Sequence, residues 1–382
     1  MSTDTSALGF GGKVPSASAP STVEAFEVRA NPAPLSAVER EAALANLNFG
    51  TQFTDHMSRA QWRPGTGWLN RRVEAYGPLS LDPAAAVLHY GQEIFEGLKA
   101  YRWADGSVWL FRPEANAARF NKSAIRLALP QLNVDDFLGS IEALVRTDVE
   151  WVPSGEESSL YLRPFMFASE AFLGVRPGAV VDYLVIASPV GAYFPGGIIP
   201  VSIWVAQGYH RAGPGGTGDA KCGGNYAASL LPQMQAYENG CQQVLFLDAK
   251  EEKYLDELGG MNVFVVRADG SVETPRLNGN ILEGITRSSV ITQLEDGGRK
   301  VLEKDITLDE IRAGVDSGDI VEVFACGTAA AVTPVGRLAS PDFDLTINGG
   351  VAGEVTLAIR KSLTDIQYGR AADPYGWMRR VA

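Results

Sequence analysis

From Tyr183 to Tyr209 the chain runs for 27 residues without a charged side chain, the one stretch long enough to be weighed as a membrane span. Pro189, Pro195 and Pro200, with Gly191, Gly196 and Gly197, interrupt its middle. A helix broken there would leave backbone N–H and C=O groups without partners in hydrocarbon, so the stretch is expected to fold as strand, loop, strand. The glycines and prolines of Ser188 to Gly197 also make the best domain boundary in the 382 residues. The expected division is a flexible tail over 1–22, a smaller domain over 23–188, an interdomain loop over 189–200 and a larger domain over 201–382. With 46% hydrophobic and 20% charged residues, each domain can bury a core of its own.

The 33 basic residues against 45 acidic ones leave a net charge of −12 at pH 7. That balance argues against a phosphate backbone or an anionic membrane as partner, since both need clustered Lys and Arg. Cys222, Cys241 and Cys326 are odd in number with no C-x-x-C spacing, and His56, His89 and His210 show no ligand spacing, so no disulfide framework and no metal site are expected. Up to Thr22 the chain is rich in Ser, Thr, Ala, Gly and Pro without an apolar core, which reads as a tail rather than a signal peptide. A soluble cytoplasmic protein is the expectation.

In the first half, Val87 to Tyr90 reads as a strand end, and Lys99 to Trp103 and Val108 to Phe111 flank a turn at Asp105-Gly106. Pro113 opens one helix and Asn133 caps a second, with strands following at Leu160 to Phe167 and Val180 to Ala187. This is a mixed α+β pattern. Beyond the boundary come a strand at Val201 to Ala206, a glycine-rich loop from Gly213 to Tyr226 and a helix ending near Gly240. A meander of Gln243 to Leu247, Met261 to Val266 and Ser271 to Thr274 follows. Helices then start after Gly284 and near Leu308, and a strand at Val321 to Ala325 leads into Cys326-Gly327-Thr328-Ala329.

The loop contains Gly213-Pro-Gly215-Gly-Thr-Gly218, a literal G-x-G-x-x-G. A dinucleotide fold needs a helix opening on the third glycine, and Gly223 and Gly224 would interrupt that helix at once. The loop's other feature is Lys221 among small residues. A lysine that forms a Schiff base with pyridoxal phosphate needs a carboxylate for the ring nitrogen, a donor for the ring oxygen and an anion site for the phosphate. Candidates are present for each: Glu257 before the strand at Met261, Tyr226, the helix N-terminus at Ile285-Thr286, and the small-residue turn at Thr328. Singly, each reads equally well as an ordinary cap, turn or hairpin acid.

Together with Leu88-His89-Tyr90-Gly91-Gln92-Glu93-Ile94-Phe95-Glu96-Gly97-Leu98-Lys99-Ala100, Leu160-Tyr161-Leu162-Arg163-Pro164, Gly191-Ala192-Tyr193-Phe194-Pro195-Gly196-Gly197, Lys221 to Tyr226, Glu257 to Asn262 and Gly327-Thr328-Ala329, they make a set. From about Phe26 to Met378 the chain resembles the branched-chain amino-acid aminotransferases, a family of fold type IV (class IV) pyridoxal-phosphate enzymes. The resemblance implies a two-domain α+β fold of the D-amino-acid aminotransferase kind, with a mixed N-terminal domain and a C-terminal domain built on a β-barrel-like sheet. It implies pyridoxal 5'-phosphate joined to Lys221, with Glu257 at the ring nitrogen, Tyr226 at the ring oxygen, and Arg119, Ile285, Thr286 and Thr328 at the phosphate. Tyr90, Phe95, Tyr161, Arg163 and Tyr193 would bind substrate, with the backbone of Gly260 and Ala329 near the α-carboxylate.

A homodimer is implied, moving the amino group of leucine, isoleucine or valine to 2-oxoglutarate by ping-pong steps. A C-x-x-C pair that some relatives carry is replaced here by Ala330 and Thr333, and a threonine by Gly260. A D-amino-acid aminotransferase or lyase of the same fold would keep Lys221 and Glu257 without needing Tyr161, Arg163 and Tyr193 together. An oxidoreductase would use the Gly213 loop for pyrophosphate, and a binding module would use none of them.

Overall fold

The computed structural model describes residues 25–192 and 198–382. Two nine-stranded sheets organise it. The first holds β1 (Glu27–Val28), β2 (His56–Arg63), β3 (Gly67–Ala75), β4 (Glu93–Phe95), β5 (Leu98–Arg102), β6 (Val108–Phe111), β7 (Ser159–Ala168) and β8 (Val181–Val190), joined by Met378–Arg380 from the chain's end. Helices α1 (Ala37–Leu44) and α2 (Ala86–Tyr90) lie on the connections, while α3 (Pro113–Arg126) and α4 (Val134–Thr147) cover a face of the sheet. Both covering helices start at local signals: Pro113 sits in the first turn of α3, and the Asn133 side chain accepts from the Asp135 N–H to cap α4. Phe120, Phe137, Ile141 and Leu144 then meet Leu160, Leu162 and Tyr183 in one buried core.

The second sheet holds β9 (Val201–Val205), β10 (Gln243–Leu247), β11 (Leu255–Leu258), β12 (Asn262–Arg267), β13 (Val272–Pro275), β14 (Val301–Lys304), β15 (Ile320–Gly327), β16 (Ala331–Ser340) and β17 (Phe343–Thr346). It curls round a single core of Ile203, Leu245, Leu255, Val263, Val323 and Val335. This is the barrel-like sheet the resemblance implies. Short helices α5 (Gly223–Ala227) and α6 (Leu230–Glu238) precede β10, and α8 (Leu308–Ser317) precedes β15. On the outer face, Phe264 and Phe324 stack with ring centroids 5.0 Å apart under α7 (Ile285–Asp296) and α9 (Glu354–Gln367). None of the described helices is long and apolar enough to cross a membrane. The charge-free stretch supplies β8 and β9, and residues 193–197 within it lie outside the described residues.

Several elements differ from the reading of the sequence. Val87 to Tyr90 is helix rather than strand end: Ala84-Ala85-Ala86 lead into it, and Gly91, left-handed at φ 57°, closes it with its N–H on the Val87 carbonyl. Gly223 and Gly224 open α5 instead of preventing a helix, because the Gly223 N–H is bonded to the Glu93 carboxylate and a Cβ there would overlap it. That helix still starts five residues past Gly218, so no helix opens on the third glycine of the motif. The expected meander is not one. β10 pairs with β9 and β11, whereas β12 pairs with β13 and β15. The final strand, β18 (Met378–Arg380), pairs with β6, so the last residues of the chain belong to the first sheet.

β15 is tied down at its helix side by Glu322. Its buried carboxylate accepts from the Val355 N–H at 2.9 Å, the Thr356 N–H at 2.8 Å and the Thr356 hydroxyl at 2.7 Å, satisfying the N-terminus of α9 where Gly353 offers no side chain. Glu322→Ala is expected to destabilise the protein by about 2 kcal/mol or more, since two buried donors and one partly buried donor lose their acceptor. Thermal unfolding followed by circular dichroism measures this; a melting temperature equal to the parent's would contradict it.

Candidate functional site

The two sheets meet at a cleft. Phe95, Arg119, Tyr161, Arg163, Lys221, Tyr226, Glu257, Gly260, Ile285, Thr286, Thr328 and Ala329 all line it, although they come from seven separate stretches of chain. Lys221 lies between the glycine-rich loop and α5. Its backbone N–H donates to Ser123 Oγ of α3 at 2.8 Å and its carbonyl accepts from Phe95 N at 3.0 Å, so the first half of the chain holds it. Its Nζ donates to the Tyr226 hydroxyl at 2.7 Å and stands 4.5 Å from the centre of the Phe95 ring. Tyr226 reaches that point because it follows Lys221 by five residues through one turn of α5.

Glu257 lines the cleft from the second sheet. It belongs to β11, all of whose residues are buried, and it is 2% exposed rather than a hairpin acid in solvent. Its carboxylate accepts from the Leu282 N–H at 2.7 Å and pairs with Arg211 at 2.9 Å. Burial pushes its pKa up to about 7, against the opposing pull of the Arg211 charge and the Leu282 hydrogen bond. The site therefore holds a carboxyl poised to ionise when a cation is brought to it. Arg211 was not singled out from the sequence. Nothing in Tyr209-His210-Arg211 marks it, and only the fold brings it to Glu257.

α7 also begins at the cleft. Gly284 is its N-cap with no side-chain acceptor, and the first turn carries no acidic residue, so its leading N–H groups, at Ile285 and Thr286, are left for an anion. The turn between β15 and β16 brings Thr328 and Ala329 alongside. Arg119 lines the same region from α3, with its guanidinium clamped on Glu96: Nε to Oε1 is 2.7 Å, Nη2 to Oε2 is 2.8 Å, and Nη1 donates to the Glu283 carbonyl at 3.0 Å. Burial pushes the Glu96 carboxyl up, but the Arg119 charge and hydrogen bonds outweigh it and hold it below its ordinary range.

On the side wall, Tyr161 and Arg163 alternate with buried residues along β7 and face the cleft together. Arg163 Nη2 donates to the Tyr161 hydroxyl at 3.0 Å, and the guanidinium lies 4.6 Å from the Phe95 ring centre. Its Nε is buried without a hydrogen-bond partner. Gly97 is required by the same wall, since a Cβ there would overlap the Tyr161 hydroxyl.

Comparison with known proteins decides the family. The description "Amino-transferase class IV" matches residues 93–338, and the probable branched-chain-amino-acid aminotransferase of Streptomyces coelicolor is 53% identical over 362 residues, 94% of this chain and all of the relative. The chain belongs to the class IV aminotransferases. The branched-chain-amino-acid aminotransferase of Mycolicibacterium smegmatis is 54% identical over 93% of this chain and 98% of its own. Among solved structures, the Escherichia coli branched-chain amino acid aminotransferase superposes with a TM-score of 0.71 at 27% identity, covering 85% of this chain and all of that one. The T.th. branched-chain amino acid aminotransferase complexed with N-(5'-phosphopyridoxyl)-L-glutamate gives 0.68 at 29% identity, covering 85% and 98%.

One residue expected to bind substrate does not line this cleft. Tyr90, on α2, is 44% exposed and its hydroxyl donates to the Leu173 carbonyl instead. Tyr193 lies outside the described residues. Conversely Glu96, Asn262, Ser123 and Arg211 touch the site without having been singled out; the signal available for Glu96 was its place in the Phe95-Glu96-Gly97 motif.

Because the Glu257 pKa lies above that of a free carboxyl, the folded ligand-free chain binds a proton more tightly than the unfolded one between about pH 4.5 and 7. Stability through this group is present at low pH and is lost as pH rises through 7. Glu257→Gln mimics the protonated acid. From pH 5 to pH 8 the variant is expected to gain on the parent by about 2 to 3 kcal/mol of folding stability. Denaturant titrations at both pH values measure this; a difference that does not change with pH would contradict the elevated pKa.

Proposed function

We propose that this class IV aminotransferase uses pyridoxal 5'-phosphate to move the amino group of leucine, isoleucine or valine to 2-oxoglutarate, giving the branched 2-oxo acid and glutamate. The observation that carries the reading is that Lys221 Nζ, on the Tyr226 hydroxyl, shares one cleft with the buried Glu257 carboxyl and the first turn of α7, which carries no acidic residue. That donor set fits the cofactor. Lys221 would hold its aldehyde carbon, Glu257 its ring nitrogen, Tyr226 its ring oxygen, and Arg119, the Ile285 and Thr286 amides and Thr328 its phosphate. When bound, the cofactor supplies the electron sink for the electron pair left by loss of the substrate's α-proton.

Lys221 Nζ, released when the substrate's amine takes its place, would be the base for that proton, kept over the Phe95 and Tyr226 rings, with the Tyr226 hydroxyl accepting from it. Glu257, ionised against a cation, would balance the charge. The Gly260 and Ala329 backbone lies where an α-carboxylate would sit, and Phe95 and Tyr161 give an aliphatic side chain its wall. With 2-oxoglutarate the same steps run backwards. Two copies are inferred to pair: α6 leaves Leu230, Leu231, Met234 and Tyr237 each more than half exposed, an apolar face suited to a second chain. Three free thiols suit a reducing compartment, and we place the enzyme in the cytoplasm.

An amino-donor panel tests the substrate reading: with 2-oxoglutarate as acceptor, L-leucine, L-isoleucine and L-valine are expected to yield glutamate, and D-alanine is not. Glutamate formed from D-alanine alone would overturn it. The dual pocket is tested at Arg163, whose buried, unpartnered Nε has no charge to meet in leucine but has one in 2-oxoglutarate. Arg163→Ala is expected to lower kcat/KM for 2-oxoglutarate by roughly thirtyfold or more while sparing the leucine half-reaction, the loss of a desolvated charge pair being worth about 2 kcal/mol or more. Equal losses in both half-reactions with a lowered melting temperature would contradict it.

A further inference from the structure

Lys99, on β5, has no part in the chemistry above. It stands directly opposite Tyr161 across the β5–β7 ladder, so the two side chains leave the sheet on the same face. Its Nζ then spans to the second sheet and donates to the Ala329 carbonyl at 2.7 Å. That carbonyl belongs to the turn between β15 and β16, whose far end, Ala331, is held in the left-handed region at φ 56°. An L-residue keeps such a conformation only where its surroundings impose it.

A second cation grips the same turn from α9. Arg360 Nη1 donates to the Ala330 carbonyl at 2.8 Å and the Val332 carbonyl at 3.2 Å, and its Nη2 meets Glu157 at 2.6 Å. Burial and the neighbouring Arg360 charge lower the Lys99 pKa to about 8, with Glu157 pulling the other way. An ammonium kept beside a like charge and partly buried is unfavourable unless its hydrogen bond does something an apolar side chain would not. Fixing the Ala329 carbonyl fixes the plane of the Ala329–Ala330 peptide, and with it the side of the turn that faces the pocket.

We propose that Lys99 is a positioning residue: from the first sheet it holds the Gly327–Ala331 turn of the second at the spacing from Tyr161 at which the Ala329 backbone receives the substrate's α-carboxylate. This rests on the functional reading above, in which that turn lies at the carboxylate. It makes Lys99 a strut between the two walls of the cleft.

The test uses cofactor-loaded protein and 4-methylvalerate, a branched carboxylate with no amine to react. Its Kd is measured by calorimetry for the parent, Lys99→Met, which keeps the length and loses the donor, and Lys99→Arg, which restores one. Lys99→Met is expected to weaken binding roughly tenfold and to raise the KM for leucine in proportion, with kcat within about twofold and melting temperature near the parent's, while Lys99→Arg recovers most of the loss. Binding by Lys99→Met within about twofold of the parent, or equal loss in both variants, overturns the proposal, as does a Lys99→Met chain that fails to fold, which would make Lys99 a residue of the fold alone. Failure of the functional reading shows separately, in a parent that makes no glutamate from leucine.

Discussion

The buried pairing of Arg119 with Glu96 is the contact on which the arrangement of the halves depends. Glu96 sits in the short link between β4 and β5, Arg119 on α3, and the third guanidinium nitrogen reaches the Glu283 carbonyl just before α7. Neither side chain has water to fall back on, with exposures of 0% and 9%, so removal of one partner would strand the other. For a buried pair that costs about 3 to 5 kcal/mol. Asn116 and the Gly97 N–H complete the Glu96 acceptors, which is what makes the pair tolerable in a low-dielectric interior. One interaction thereby registers the first sheet, the helix over it and the N-terminus of α7 against each other, and Lys221, bonded to Ser123 on that same helix, is placed by the same frame.

From that frame the cleft acquires groups of opposite charge preference. The first turn of α7 offers backbone donors and carries no acidic residue, whereas Glu257 offers a carboxyl so deeply buried that it is only half committed to ionising at neutral pH. An anion is favoured at the first and a cation at the second, with a lysine nitrogen in the same cleft. The aromatic and arginine wall of Phe95, Tyr161 and Arg163 is a separate device on the β7 side, where an apolar surface and an unsatisfied guanidinium donor coexist. A substrate side chain that is aliphatic uses the first, and one ending in a carboxylate uses the second.

What could be read from the sequence is what short stretches determine. Pro113 and Asn133 start α3 and α4 because capping is settled within a turn of the chain, and the alternation of Tyr161 and Arg163 put them on one face of a strand because the period of a strand is two. Glu257 was harder. Leu-Asp-Glu-Leu has the composition of a polar turn, and it becomes a buried strand only because the Leu282 N–H and Arg211, 25 residues ahead and 46 behind, arrive to satisfy its charge. Arg211 itself carries no local mark. Tyr90 was misread as strand because its own residues favour β structure, while the preceding alanines and the left-handed Gly91 turn them into helix. The role given to Arg119 came from resemblance to a family, and no spacing pattern would have supplied it.

The central claim is that Lys221 is the amine that holds the cofactor, and one measurement addresses it directly. The protein is loaded with pyridoxal 5'-phosphate, reduced with borohydride so that the link to the protein becomes permanent, digested, and its peptides are weighed by mass spectrometry. The account requires the added phosphopyridoxyl mass on the peptide that carries Lys221, at close to one group per chain, and on no other lysine. Label on Lys99 or on a surface lysine with Lys221 unmodified, or no stable label at all, would contradict it.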